Sequence, residues 1–371
     1  MPEPDMLLRA DRDILLAPLA AVCGVVERRH TLPILSHVLL EADGQSLAIT
    51  ASDLEIQLES RRAVQASQTF RLCVPARKLL DILRALPAGC ELQLKRQNSQ
   101  LQLLAAGSRF QLQTLPAEDF PLLTPDGAIS AVLALDPAEL KRKLDQVLYA
   151  MAGGDIRPYL NALLLQLDAE ELKLIASDGV RLAIQRYPLS GGHPESKLLL
   201  PRKAALALNK LLDELSAPLQ LSLGEKQLHC QLGDTQLRCK LVDARAPDYL
   251  RLLPDSHDCE LLLPRLAMLE AVQRVSVLAH AKFRQLEMEI RPGRLALRCQ
   301  NAEQEEAEEK LPLDWQGEPL QASFNLGYLQ DVLQSQKAER LRFCLGQGQR
   351  GMLITNPDDP HFQYLAMPLR G

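Results

Sequence analysis

The sequence predicts an α+β fold built from three copies of one domain. Three observations predict it: a recurring strand-to-helix junction, amphipathic helices alternating with hairpin-patterned strands, and a length of 371 residues, which suits two or three cores better than one. The junction occurs in FRLCVPARKLLDILRALP from Phe70, KLLLPRKAALALNKLLDEL from Lys197 and QASFNLGYLQDVLQSQ from Gln321. Pro75 and Pro201 stand 126 residues apart, and proline opening a helix gives up no hydrogen bond the helix needs. The copies are expected at residues 1–124, 125–254 and 255–371.

Each copy carries a second helix upstream of that junction. The segments are RADRDILLAPLAAVCGVV from Arg9, LDPAELKRKLDQVLYAM from Leu135 and LPRLAMLEAVQRVSVLA from Leu263. Apolar residues recur at i, i+3, i+4 and i+7, which gives one buried stripe opposite a polar face. ISAVLALDP and HDCELLLP open the second and third copies as strands. Period-two runs follow each first helix, broken by ADGQS, DAEE and RPGR, which is hairpin patterning. Further hairpins close each copy, as in LQLSLGEKQLHCQLGDTQLRCKLVD. Helices set between antiparallel hairpins predict α+β, not a parallel α/β sheet.

Apolar residues make up 47%, charged residues 24% and aromatics 4%, so leucine is expected to fill the cores. No uncharged apolar run reaches about 18 residues and the N-terminus has no leader pattern, so a cytoplasmic protein is expected. The eight cysteines are scattered without CxxC spacing and read as buried reduced thiols. A formal net charge of −5 argues against a protein that coats nucleic acid over its whole surface, while leaving room for a local basic zone.

Catalytic signatures are few. Gly346, Gly348 and Gly351 satisfy GxGxxG, but the strand-like MLITN follows where a dinucleotide site needs a helix, so a hairpin turn is expected. GxxxxGK[ST] does not occur, which disfavours a motor or self-loading ATPase. The seven histidines show no metal spacing, and no metal or cofactor is expected. Ser52-Asp53 and Ser177-Asp178 recur at matching strand ends; an enzyme using Asp53 or Asp178 is the alternative to a turn role for the aspartates. The acidic run NAEQEEAEEKL from Asn301 is either a solvated face or one side of an interface between subunits. Arg77-Lys78 and Arg202-Lys203 occupy equivalent helix starts, where cations oppose the helix dipole. Phosphate contact would explain them; solvation is the plainer alternative.

Nine segments in order then resemble the β subunit of bacterial DNA polymerase III, the sliding-clamp family. They include RHTLPILSHVLLEADGQSLAITASDLE, VPARKLLDILRALP, FQLQTLPAEDFP, DIRPYLNALLL, IASDGVRLA, KLVDARAPDYLRLLP and the terminal YLAMPLR. The resemblance starts at Met6, so residues 1–5 read as an extension or an upstream start. It implies a non-enzymatic processivity factor: a homodimer closed head to tail into a six-domain ring, with helices inside and antiparallel sheets outside. Duplex DNA would pass through without sequence readout, held by contacts that carry no sequence information. The implied partners are DNA polymerase subunits, an ATP-driven clamp loader, and repair polymerases and ligase that dock through short linear peptides. A scaffold of the same fold that does not encircle DNA is the alternative.

Residue by residue, the resemblance assigns a peptide groove to Leu160, Ser177, Gly179, Val180, Arg181, Leu182, Pro247, Arg251, Leu252, Leu365, Met367, Pro368, Leu369 and Arg370. It turns Arg29, Arg157, Tyr159, Arg202 and Lys203 toward DNA. It sets Lys78 and Phe110 on one dimer edge, with Val277, Leu278, Glu305 and Glu309 on the other. Val180 and Gln349 depart from the family's groove pattern, Gly107 stands where a basic dimer-edge residue is common, and Gly153, Gly154 and Pro158 shorten the side chains of the DNA-side loop. A weaker or more mobile grip by that loop is the expected result.

Overall fold

The structure, a computed structural model, describes residues 6–26, 32–214, 217–280, 282–346 and 351–369. Among these residues the chain forms six α-helices and twenty-four strands, and no helix is long and apolar enough to cross a membrane. It divides into two compact units, Met1–Glu139 with Lys203–Leu241, and Leu140–Arg202 with Val242–Gly371.

In the first unit a four-stranded antiparallel sheet runs β1 (Met6–Asp11), β6 (Glu91–Gln97), β7 (Gln100–Ala105), β8 (Ser108–Gln113). Beside it is an eight-stranded sheet in the order β5 (Phe70–Pro75), β2 (His37–Ala42), β3 (Ser46–Ser52), β4 (Ile56–Ala63), β16 (Thr235–Lys240), β15 (Gln227–Leu232), β14 (Leu219–Gly224), β9 (Ile129–Leu135). The sequence places β4 in the first repeat and β16 in the second, yet they pair antiparallel, with Leu58 opposite Leu237. Ser60 and Thr235 share a buried hydroxyl contact of 2.9 Å at that join. The helices α1 (Arg12–Val22) and α2 (Ala76–Ala85) pack together, and α1 covers β3 and β4. The helix expected from Arg9 instead begins at Arg12. Leu7 and Leu8 are buried in β1, and Asp11 caps α1 by accepting from the Asp13 amide at 2.7 Å.

The second unit repeats this plan. Its eight-stranded sheet runs β13 (Ser196–Pro201), β10 (Ala162–Leu167), β11 (Glu171–Ser177), β12 (Arg181–Pro188), β24 (Asp359–Ala366), β23 (Met352–Asn356), β22 (Arg340–Leu345), β17 (Cys259–Pro264). Here β12 joins β24, again uniting two sequence repeats in one ladder. A four-stranded sheet runs β20 (Glu306–Pro312), β19 (Arg294–Gln300), β18 (Gln285–Arg291), β21 (Leu320–Asn325), and α5 (Arg265–Val275) packs on α6 (Leu326–Ser335). The remaining helices, α3 (Pro137–Asp145) and α4 (Arg202–Glu214), lie where the chain passes from one unit to the other. Two of the expected first helices stop early. After α3 the backbone leaves helical space at Val147, and 3-10 turns at Leu148–Ala150 and Ser276–Leu278 take the place of further helix.

All eight cysteines are free thiols, seven of them buried, in keeping with small apolar core residues. GxGxxG lies between the antiparallel strands β22 and β23, as a hairpin requires; Gly348 and Gln349 fall outside the described residues. The aspartates of the Ser-Asp pairs are turn residues. Asp53 accepts from the amides of Glu55 and Ile56 at 3.0 and 2.7 Å, and Asp178 from Val180 and Arg181, both at 3.0 Å.

One buried polar network was not visible in the sequence. Lys143, 0% exposed, donates to Gln185 Oε1 at 3.2 Å and to the Arg186 carbonyl at 2.7 Å. Gln185 donates to Gln146 at 2.6 Å and to Asp359 at 2.9 Å, and Arg142 reaches the same Asp359 oxygen at 2.8 Å. Burial raises the Asp359 carboxyl, but Arg142, Gln185 and Lys143 outweigh it and hold the group below its ordinary 3.8. A depressed folded pKa contributes stability above the unfolded value, and that stability is lost as pH falls through the folded one. Thermal unfolding followed by circular dichroism should therefore show the midpoint falling as pH drops below about 4. Asp359→Asn should lower the midpoint at neutral pH and flatten that acid slope; an unaltered slope would show that Asp359 does not carry it.

Candidate functional site

The second unit holds a concave apolar cavity of about 240 Å³. Its floor follows from strand alternation. Leu182 on β12 and Leu365 on β24 sit directly opposite and both are buried, with Leu160 from the 3-10 turn Pro158–Asn161 beside them. Its rim is exposed and apolar: Val180 is 39% exposed, Met367 41% and Leu252 57%. Leu252 ends a 3-10 turn that starts at Tyr249, and residues three apart on such a turn share a face, so both side chains line the cavity.

Two glycines make the wall possible. Gly179 has φ +91, and a Cβ there would stand 2.8 Å from Arg157 Nη2. A Cβ on Gly351, the third glycine of the GxGxxG pattern, would stand 2.6 Å from Leu365 Cδ1. Its hydrogen side chain thus serves close packing under the groove floor, not a phosphate. The Met367 amide donates to the Val180 carbonyl at 2.9 Å, continuing the β12–β24 ladder past the strand end and tying the C-terminal segment to the rim.

The structure brings together ten of the expected groove residues: Leu160, Ser177, Gly179, Val180, Arg181, Leu182, Pro247, Leu252, Leu365 and Met367. Arg251 is outside this lining, with its guanidinium 3.1 Å from Asp248. Pro368 and Leu369 also lie beyond it, the Leu369 amide donating to the Ser323 carbonyl at 2.8 Å, and Arg370 falls outside the described residues. Tyr249 is an addition that the sequence reading missed. The YLRL segment carried the i, i+3 pair Tyr249 and Leu252, but nothing marked it as a 3-10 turn. Arg157 and Tyr159, expected on the DNA side, line the same cavity.

Ser177 and Arg157 of the lining are engaged within the protein. Ser177 donates its hydroxyl to the Arg181 carbonyl at 2.7 Å and accepts from the Gly179 amide at 3.1 Å, the work of a turn residue. Arg157 holds Asp155 through two hydrogen bonds of 2.9 and 3.0 Å, and this guanidinium pulls the Asp155 carboxyl down to about 2. Burial pushes the Tyr249 hydroxyl up to about 12. The short-side-chain loop at Gly153-Gly154 is pinned: Asn161 Oδ1 accepts from the Gly154 and Asp155 amides at 2.8 and 2.9 Å, and its Nδ2 donates to the Asp155 carbonyl at 2.7 Å.

Arg77, Arg202, Arg265 and Lys203 at helix starts have protein partners. Arg77 donates to the Val26 carbonyl at 2.8 Å, Arg202 to Met151 at 3.3 Å, and Arg265 to Ala338 and Leu333, both at 3.0 Å. Lys203 is paired with Asp53. Hydrogen bonds to carbonyls of neighbouring segments thus give these arginines a structural role at the unfavourable end of the dipole, beside the phosphate contact or solvation that the sequence left open. Arg29 lies outside the described residues. On the proposed dimer edges, Lys78 is exposed on α2, Phe110 is half-buried on the outer strand β8, and Val277 is 79% exposed with Leu278 half-buried beside it. Glu305 is exposed just before the outer strand β20, and Glu309 on that strand pairs with Arg274 at 2.7 Å. Among the described residues one grouping has metal-ligand character, His257, Glu260 and Cys344, with their ligand atoms within 4.8 Å of one another. Glu260 is already bound by Arg342 at 3.1 Å, and burial pushes the Cys344 thiol up to about 11.

An apolar floor, an exposed rim of Val180, Leu252 and Met367, and repeated helix-and-sheet domains define an α+β protein with a concave apolar face on its second unit. Comparison with known proteins gives the family. The N-terminal, central and C-terminal domain models of the DNA polymerase III beta subunit match residues 6–124, 134–248 and 250–370. The beta sliding clamp of Pseudomonas aeruginosa is 37% identical over 97% of this chain and 98% of its own length, and that of Escherichia coli K12 is 35% identical over 98% and 100%. A solved sliding clamp from P. aeruginosa, bound to griselimycin, superposes with a TM-score of 0.94 at 36% identity, covering 99% of this chain and 100% of that one. The chain belongs to the DNA polymerase III beta subunit family.

Gly179→Ala tests the groove wall. The left-handed backbone should make this change cost about 1–2 kcal/mol, and the added methyl should swing Arg157 off the turn. A thermal unfolding midpoint equal to the wild type, with unchanged exposure of Arg157 to guanidine-directed labelling, would contradict this account.

Proposed function

We propose that this protein is a DNA sliding clamp that works without catalysis, a processivity factor that encircles duplex DNA and tethers a replicative polymerase and other DNA-processing proteins. The observation that carries the reading is the run of three successive family matches from residue 6 to residue 370. Tethering acts by effective concentration: a polymerase that lets go of the primer end is held nearby and rebinds. The groove formed by Leu160, Leu182, Leu252, Leu365 and Met367 is the proposed docking site for short partner peptides with apolar anchors. Leucine and methionine suit a site with several partners because their side chains adapt to different ligands. The three matched segments are the proposed domains, and the cytoplasm, where replication takes place in bacteria, is the proposed location. A separate ATP-driven loader would open the ring.

Closure is proposed between two copies, head to tail. The outer strand β8 of one copy, with Phe110 and Lys78, would meet the outer strand β20 of the other, with Val277, Leu278, Glu305 and Glu309. Both strands are sheet edges with unpaired backbone groups, which pairing would satisfy. Charge adds to the match: β20 carries Glu306, Glu308 and Glu309, which share Arg274, Arg298 and Lys310 within the chain, and the facing side offers Lys78 and Arg109. Each exposed ion pair adds only about 0–1 kcal/mol, so the apolar residues supply affinity and the charges set register.

Arg202 and Lys203, with Arg29, are the proposed DNA-facing cations. Arg202 and Lys203 also bond within the protein, to the Met151 carbonyl and to Asp53, so they would share donors between the protein and phosphate. Loaded by a clamp loader with ATP, the protein should stay on nicked circular DNA through gel filtration and run off once the circle is cut. Equal retention on both forms would favour the non-encircling scaffold. Val277→Asp should raise the dimer dissociation constant by about tenfold or more in analytical ultracentrifugation, since it places a charge against an apolar contact.

A further inference from the structure

On the reading of the groove as a peptide site, we propose that Arg181 is a positioning residue: it sets the groove wall from helix α6 and does not bind the ligand's charge. Every nitrogen of its guanidinium is in use. Nε donates to Asp178 Oδ2 at 2.9 Å, Nη1 to Asp331 Oδ2 at 2.6 Å, and Nη2 to the Tyr149 carbonyl at 2.6 Å. The rings of Tyr328 and Tyr149 lie 4.3 and 5.5 Å from its central carbon. Its side chain is only 10% exposed. A planar fork holding two carboxylates and a carbonyl, with aromatic rings close by, has its charge already met. An acidic group on a peptide would have to displace a carboxylate the protein supplies.

The same residue grips the wall it supports. Its amide donates to Asp178 Oδ1 at 3.0 Å, and its carbonyl accepts the Ser177 hydroxyl at 2.7 Å, so the turn that presents Val180 is closed on both sides. The far end of Arg181 is anchored by Asp331 and Tyr328 on α6, and neither lines the cavity. The rim is thus placed in part by α6 side chains that lie outside the cavity lining. Direct contact predicts that affinity depends on a ligand carboxylate. Positioning predicts equal losses for charged and uncharged ligands, and losses from changes on α6.

Two measurements separate these outcomes, made on full-length wild type, Asp331→Asn and Arg181→Lys. The first is fluorescence anisotropy with a fluorescein-labelled peptide that has leucine and phenylalanine anchors and either aspartate or alanine between them. Both variants should weaken both peptides by a similar factor, about five- to tenfold for loss of a charge-assisted hydrogen bond. The second is amide hydrogen exchange of the free protein, in which Val180 and Arg181 should exchange at least about fivefold faster in both variants, with β10 unchanged. The proposal is overturned if Arg181→Lys weakens only the aspartate peptide while Asp331→Asn binds like wild type, or if exchange at the turn does not change. If wild type binds neither peptide, the peptide-site reading fails; the exchange result still decides whether Arg181 positions the turn.

Discussion

A β-sheet edge must be paired, covered or blunted, because its backbone groups otherwise remain open to water or to another chain. The described structure answers that constraint twice in the same way. At β4–β16 and at β12–β24, the last strand of one sheet is continued by a strand from the next sequence repeat, so two four-stranded sheets become one of eight. The groove exists because of the second join. Its floor pair, Leu182 and Leu365, are cross-strand partners at the seam, and the rim contact from Met367 to Val180 continues the same ladder. A fold of separate repeats would have no such floor.

The strand β12 serves two environments through its period-two alternation. Leu182 and Ile184 belong to the apolar cluster under the groove, while Gln185 points into the buried network with Lys143, Gln146 and Asp359. A fully buried lysine is costly unless its donors are met, and removing one member of such a network leaves the others unsatisfied. Polar pairing of this kind constrains register: sliding β12 by one residue would bury Gln185 against the apolar cluster and turn Leu182 toward Lys143. The groove's geometry is thus defended on the face opposite the one it uses.

Most of the architecture was legible in the sequence, since period-two and period-3.6 patterns follow from which faces are buried. The strand openings at ISAVLALDP and HDCELLLP, the hairpins, and the turn role of Asp53 and Asp178 were all readable locally. What the sequence did not disclose was pairing between repeats, which depends on contacts far apart in the chain. For that reason nothing in the local pattern around Lys143 or Gln185 marks them as partners in a buried network. The first strand was hidden because RADRD continues into the helix without a break in polarity, although Asp11 followed by Arg12-Asp13 is a recognisable cap. The groove assignments depended on resemblance; AMPLR alone has no feature that separates a docking edge from a strand end. Tyr249 was missed because the periodicity of a single 3-10 turn is too short to register.

The helix-start arginines carry the remaining lesson about charge. Arg77 and Arg202 recur at equivalent positions and donate to carbonyls of equivalent segments, Val26 and Met151, so the repeat preserves a structural bond that dipole reasoning could not anticipate; Arg265, which opens the first helix of the third copy, does the same to Ala338 and Leu333. This bears on how a protein with a net charge of −5 would hold DNA. Phosphate contacts carry no sequence information and so permit sliding, with a strength set by how many cations reach the backbone. Cations whose donors are partly committed to the protein contribute long-range attraction without a fixed contact. On the proposed reading, motion along DNA then requires little bond breaking at each phosphate, and specificity passes to the groove, where shape and apolar area choose the partner.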